Sequence, residues 1–109
     1  MANTATQTNP LTLTRMASGT FIEDDTAVAL TITCGFTPRY VRVQNETSRD
    51  GYEWLEGMAD AEAIKTVAAG TRTIITTLGI TPVANSGFTI GLDTNVNAIN
   101  EQISWVAFG

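Results

Sequence analysis

The sequence has no histidine and a single cysteine, Cys34. Without histidine, a serine, threonine or cysteine nucleophile lacks its usual general base. One cysteine excludes an internal disulfide, and Cys34 reads as a small apolar side chain of the core. No catalytic constellation is found, so the chain is not expected to be an enzyme or to need a cofactor. Positive charge is also scarce: six Lys and Arg stand against eleven Asp and Glu, for a formal net charge of -5. Those six, Arg15, Arg39, Arg42, Arg49, Lys65 and Arg72, are scattered along the chain. Counterion release from nucleic acid needs such groups clustered, so no nucleic-acid partner is expected, nor an anionic membrane. No apolar run approaches the roughly 20 residues of a membrane-spanning helix. Met1 to Pro10 has neither the basic nor the apolar region of a secretory leader, which implies synthesis in the cytoplasm and no exit by that route.

What is present is a pattern of short alternating segments. A chain of 109 residues is read as one domain, and at this size roughly 65% of the unfolded surface is buried, enough for a core without staples. The organising stretch runs from Gly35 to Met58. Tyr40 to Gln44 alternates around Val41 and Val43, as a half-buried strand does. Asp50-Gly51 carries a turn signal, and Tyr52-Glu53-Trp54-Leu55 opens a second strand, giving an antiparallel hairpin.

Elsewhere, Leu11 and Leu13 suggest a first strand, Ser18-Gly19 an interruption, and Thr20 to Glu23 a resumption. Glu23-Asp24-Asp25 reads as an acidic turn. Val28, Leu30 and Ile32 share one face of a strand over Ala27 to Thr33. Met58 to Lys65 has some helical propensity but is too short, and a single turn is expected around Ala59–Glu62. Thr71 to Thr77 is Thr- and Ile-rich strand. Gly79, Pro82 and Asn85-Ser86-Gly87 punctuate the next stretch, before Phe88, Ile90 and Leu92 share a face. In the last strand Ile103 and Trp105 lie on one face, Val106 and Phe108 on the other. Apolar on both sides, it belongs inside a sheet or against a neighbour. Regularly spaced short strands predict an all-β fold, a compact antiparallel β-sandwich of jelly-roll type. Residues 11–109 form that domain, and residues 1–10, poor in apolar surface, form an arm that is mobile when free.

Two apparent motifs fail on spacing. Asp93-Thr94-Asn95-Val96-Asn97 resembles the start of a calcium loop, but Ala98 and Ser104 stand where that loop needs Gly and Glu. Glu53 and Glu56 would point to opposite faces of a strand and could not address one bond together. No metal site is expected. Tyr40, Tyr52 and Trp54 can be core residues or, with Arg39 and Arg42 beside them, interface anchors.

Three segments resemble the head-associated proteins of tailed bacteriophages: Gly35-Phe36-Thr37-Pro38-Arg39-Tyr40-Val41-Arg42-Val43, Tyr52-Glu53-Trp54-Leu55-Glu56-Gly57-Met58, and Lys65-Thr66-Val67-Ala68-Ala69-Gly70-Thr71-Arg72-Thr73. The closing Trp105-Val106-Ala107-Phe108 is similar too. The resemblance, over roughly residues 18–109, implies a capsid decoration, or cement, protein on the virion surface. The implied partners are the major capsid protein and further copies of the chain, in a homotrimer. Arg39, Tyr40, Arg42, Tyr52, Trp54, Trp105, Val106 and Phe108 are the candidate capsid or protomer contacts. The alternative is a tail- or fibre-associated module that binds a host glycan or protein.

Overall fold

The structure, a computed structural model, describes residues 15–22, 29–93 and 96–109. The arm over residues 1–10, the Leu11–Leu13 strand, the acidic turn at Glu23–Asp25, Ala27 and Val28, and Thr94 and Asn95 lie outside them. Eight strands are present: β1 (Met16–Ile22), β2 (Leu30–Thr33), β3 (Tyr40–Asn45), β4 (Gly51–Leu55), β5 (Glu62–Thr66), β6 (Arg72–Val83), β7 (Gly87–Ile90) and β8 (Gln102–Phe108). All pair antiparallel in one curled sheet of order β1-β8-β3-β4-β5-β6-β7-β2. The described residues contain no helix, and the all-β expectation holds.

Alternation sets the two faces. Val41, Val43, Tyr52, Trp54, Ala63, Ile80, Phe88, Ile90, Ile103 and Ala107 point inward and are buried, with Phe36 and Val96 closing the core from loops. Curling brings β7 over β8, so that Phe88 meets Trp105 edge to face with centroids 5.5 Å apart. The last strand lies inside the sheet between β1 and β3, as its two apolar faces require.

Four local expectations change. Ser18-Gly19 does not interrupt β1, which runs unbroken from Met16 to Ile22. Gly19 is needed there because the Trp105 indole lies against it, 3.0 Å from where a Cβ would sit. The β3–β4 turn does bend at 46–50, but the left-handed residue is Arg49 (φ 69°), not Gly51. Gly51 instead leaves room where a Cβ would lie 2.8 Å from Val43 O and 2.7 Å from the Gln44 side chain. Asp50 is buried and accepts from Ala68 N at 2.8 Å, tying this turn to the β5–β6 turn. The single turn before β5 is present, with Ala61 at φ 67°, but the strand already begins at Glu62. Burial of Ala63 on the inner face outweighs the weak helical propensity of the segment. Gly79 and Pro82 likewise lie within β6 rather than ending it. Between Ile75 and Ile80 the strand bulges, with Ile75 opposite Ala63 and Ile80 opposite Glu62. Leu78 is left-handed there (φ 63°), and Gly79 is needed beside it, because a Cβ would lie within 2.6 Å of the Ala61 and Glu62 carbonyl oxygens. Pro82 is tolerated because this end of β6 pairs with β7 alone.

Candidate interaction face

The outer face of β1, β8, β3 and β4 carries the surface that departs most from a solvated sheet. Strand register aligns Met16 with Phe108, Phe108 with Tyr40, and Tyr40 with Leu55, an unbroken row across four strands. Met16, Leu55 and Phe108 are 57%, 44% and 38% exposed. Tyr40 is half-buried in the row, its ring 6.0 Å from that of Phe108. The next row reads Ser18, Val106, Arg42, Glu53, Ile64 and Ile74. Cross-strand neighbours on one face are the contacts a sheet offers to a partner, so these rows form a strip of apolar groups beside a mixed strip in which Arg42 and Glu53 carry the charge.

The charged groups are held by one another. Tyr40 Oη donates to Glu53 Oε2 at 3.0 Å, and Arg72 Nη2 to Glu53 Oε1 at 3.2 Å. Arg39 Nε meets Glu56 Oε1 at 3.3 Å at the end of the apolar row. Burial raises the Tyr40 phenol above its ordinary value; the hydrogen bond and charge of Glu53 add to this and Arg42 opposes it. Arg42 is exposed and borders a shallow depression of about 210 Å³ formed with Gln44, Ser104, Trp105 and Val106. A second, smaller one, about 70 Å³, lies between Arg42, Gln44, Tyr52 and Thr66.

The eight residues singled out by sequence therefore divide. Tyr40, Arg42, Val106 and Phe108 share the outer face, and Arg39 lies just before β3, paired with Glu56. Tyr52 and Trp54 point inward and are buried, and Trp105 packs inward on Phe88. Trp54 Nε1 donates to Ala59 O at 3.2 Å, a bond that fixes the turn before β5. Met16, Leu55, Ile64 and Ile74 complete the outer rows and were not singled out. Of these, Leu55 did carry a signal: it is the apolar residue next to Trp54 in the second hairpin strand.

A second cluster lies at the inner edge. Tyr52 Oη donates to Asp93 Oδ2 at 2.8 Å, and Lys65 Nζ lies 2.6 Å from the same oxygen. Burial, and then the hydrogen bond and charge of Asp93, push the Tyr52 phenol far above its usual range. The cluster joins β4 and β5 to the segment that succeeds β7. Among the described residues no group of three or more Cys, Asp and Glu is placed to hold a metal ion. No described helix is long and apolar enough to cross a membrane. Compared with known protein families, with curated proteins and with solved structures, the chain matches none.

Proposed function

We propose that the protein is a structural component of a phage virion, a decoration protein that seats on the head surface between capsomers and stabilises the shell. The observation that carries this reading is the apolar row Met16–Phe108–Tyr40–Leu55 on the outer face of a continuous sheet. A rigid sheet face with a central aromatic pair and arginines at its margin has the make-up of a protein interface. The segments that resemble phage head proteins place Arg39, Tyr40 and Arg42 in that face and its margin. Self-association as a homotrimer belongs to the same reading, since three linked copies hold a shell through contacts that are individually weak. Whatever binds only the assembled shell stabilises it by mass action. The reading also carries a finer description of the fold, a jelly-roll sandwich; the packing of β7 on β8 through Phe88 and Trp105 is consistent with it.

The test is binding to expanded heads that lack the protein, run beside binding to host cells. Saturable attachment to heads, with a rise in their resistance to heat, is the expected result. Attachment to cells and not to heads would replace this reading with a host-binding module of the tail.

A further inference from the structure

Arg42 stands mid-strand on β3, exposed on the outer face beside the apolar row. Among the described residues it makes no ion pair, whereas Arg39 is held by Glu56 and Arg72 by Glu53. Register does bring a carboxylate to it: Glu53 lies directly opposite on β4. A cross-strand Arg–Glu pair is the ordinary outcome of that placement. It does not form, because both oxygens of Glu53 are engaged elsewhere. Tyr40 Oη donates to Oε2 at 3.0 Å and Arg72 Nη2 to Oε1 at 3.2 Å. Donors from β3 and β6 thus hold the carboxylate off Arg42 and leave its guanidinium uncompensated.

Arg42 also borders both depressions of this face. The larger, about 210 Å³, is bounded by Val106, opposite Arg42 on β8, and by Gln44 and Ser104. The neighbouring row carries Tyr40 and Phe108. The planar guanidinium fork matches a carboxylate, two N–H groups to two oxygens. The surroundings select the kind of anion. Glu53 borders the smaller depression, and Ser104, which lines the larger, donates to Glu46 Oε2 at 2.7 Å. One cation between two carboxylates, in a chain of net charge -5, suits a single negative charge. It disfavours a phosphodiester backbone or an anionic membrane, which need clustered cations.

We infer that Arg42 receives an acidic side chain, Glu or Asp, of the shell protein in a two-pronged ion pair. The inference rests on the decoration reading and adds the chemistry of the partner: a carboxylate set in an apolar surface, which meets Arg42 and the apolar row together. Tyr40 then has two tasks. Its ring belongs to the row, and its hydroxyl keeps Glu53 from taking the place of the incoming carboxylate. Covered by the apolar contact, the pair is screened by salt much less than an exposed one.

The test uses the full chain with two probes, expanded undecorated heads and sodium propionate, a carboxylate on a short apolar stem. On heads, Arg42→Gln should bind at least about tenfold more weakly than wild type, with an unchanged unfolding midpoint. Arg42→Lys should fall between them, because an ammonium keeps the charge and loses the fork. Tyr40→Phe keeps the ring and frees one oxygen of Glu53. It should weaken attachment about threefold, and adding Glu53→Gln should restore it, a pattern that apolar contact alone does not give. In solution, propionate should shift the Arg42 Nε–H resonance to saturation near about 0.1 M, while exposed Arg49 drifts linearly and phosphate moves Arg42 less. A folded Arg42→Gln that attaches to heads like wild type would overturn the inference. So would an Arg42 resonance that follows propionate no differently from Arg49, or that responds more to phosphate. Wild type that fails to attach to heads at all strikes the decoration reading instead, and the propionate titration then decides for Arg42 alone.

Discussion

Replacing Asp93 by Ala tests whether the Tyr52–Asp93–Lys65 cluster ties the hairpin to the segment after β7. The carboxylate accepts from Tyr52 Oη at 2.8 Å and pairs with Lys65 Nζ at 2.6 Å. Tyr52 is 1% exposed, so its hydroxyl finds no water when the acceptor is gone. An orphaned buried donor costs about 1–3 kcal/mol. Breaking a buried ion pair costs about 3–5 kcal/mol, but the lower end applies because Lys65 and Asp93 keep 16% and 13% of their side-chain surface. The two losses share one carboxylate and do not simply add; together they amount to about 3–5 kcal/mol. That is a large part of the 5–15 kcal/mol typical of a domain. Tyr52→Phe should cost less, about 1.5–3 kcal/mol, since Asp93 keeps its ammonium partner. Urea unfolding followed by fluorescence is suited to the measurement, because Trp54 and Trp105 both face the core. At a slope of about 1–3 kcal/mol per molar, a 3 kcal/mol loss moves the midpoint down by about 1–3 M. A double-mutant cycle between Tyr52→Phe and Asp93→Ala should return a coupling near the cost of the single hydrogen bond. An Asp93→Ala midpoint shifted by only a few tenths molar, or a coupling near zero, would refute the assignment.

Asn45, fully buried, accepts from Thr47 N and Ser48 N at 2.8 and 2.9 Å and donates to Val96 O and Glu101 Oε1 at 3.0 and 2.9 Å. Asn45→Ala should cost about 3 kcal/mol by orphaning the buried Val96 carbonyl and loosening the turn. Asn45→Asp should do no better, because it sets a carboxylate against Glu101; calorimetry on both variants checks this. The two tyrosines give an alkaline signature. Their folded pKa values lie above the unfolded value of 10.0. Their contribution to stability is therefore complete below that pH and is lost as pH rises through the folded values. Phenolate absorbance of the folded protein should lag that of the urea-unfolded chain. The unfolding midpoint should fall above about pH 10, less steeply in Tyr52→Phe. Superimposable titrations of folded and unfolded protein would count against the burial of Tyr52.

Much of the sheet was legible in the residues, because one-sided burial leaves a period-two trace. Val41 and Val43, Tyr52 and Trp54, and Ile103 and Trp105 all face inward as alternation requires. Glycines misled where they serve close packing rather than turns: Gly19 under Trp105 and Gly79 against the Ala61 carbonyl. Propensity could not have found Arg49 in the left-handed region, since the turn is held there by Asn45, whose side chain caps Thr47 and Ser48. Partners distant in sequence left no trace at all; Tyr52 and Asp93 are 41 residues apart. For the outer face, the aromatic and arginine cluster around Tyr40 and Arg42 was readable. Which aromatics face outward was not, because alternation separates the two faces of a strand without saying which one the core covers. The core covers the face with Tyr52 and Trp54 and leaves Tyr40 and Phe108 on the other.

The claim that this outer face holds the shell is tested most directly by co-sedimentation with expanded, undecorated heads, comparing wild type with Tyr40→Ala and Phe108→Ser. Truncating a buried interface anchor costs about 2 kcal/mol or more, about thirtyfold in affinity. Each variant should bind at least that much more weakly while its unfolding midpoint stays high enough for it to remain folded. Wild type should stay attached at about half-molar salt, where screening acts within a few ångströms. Folded variants that saturate heads at the wild-type concentration, or wild type released completely by that salt, would contradict the account.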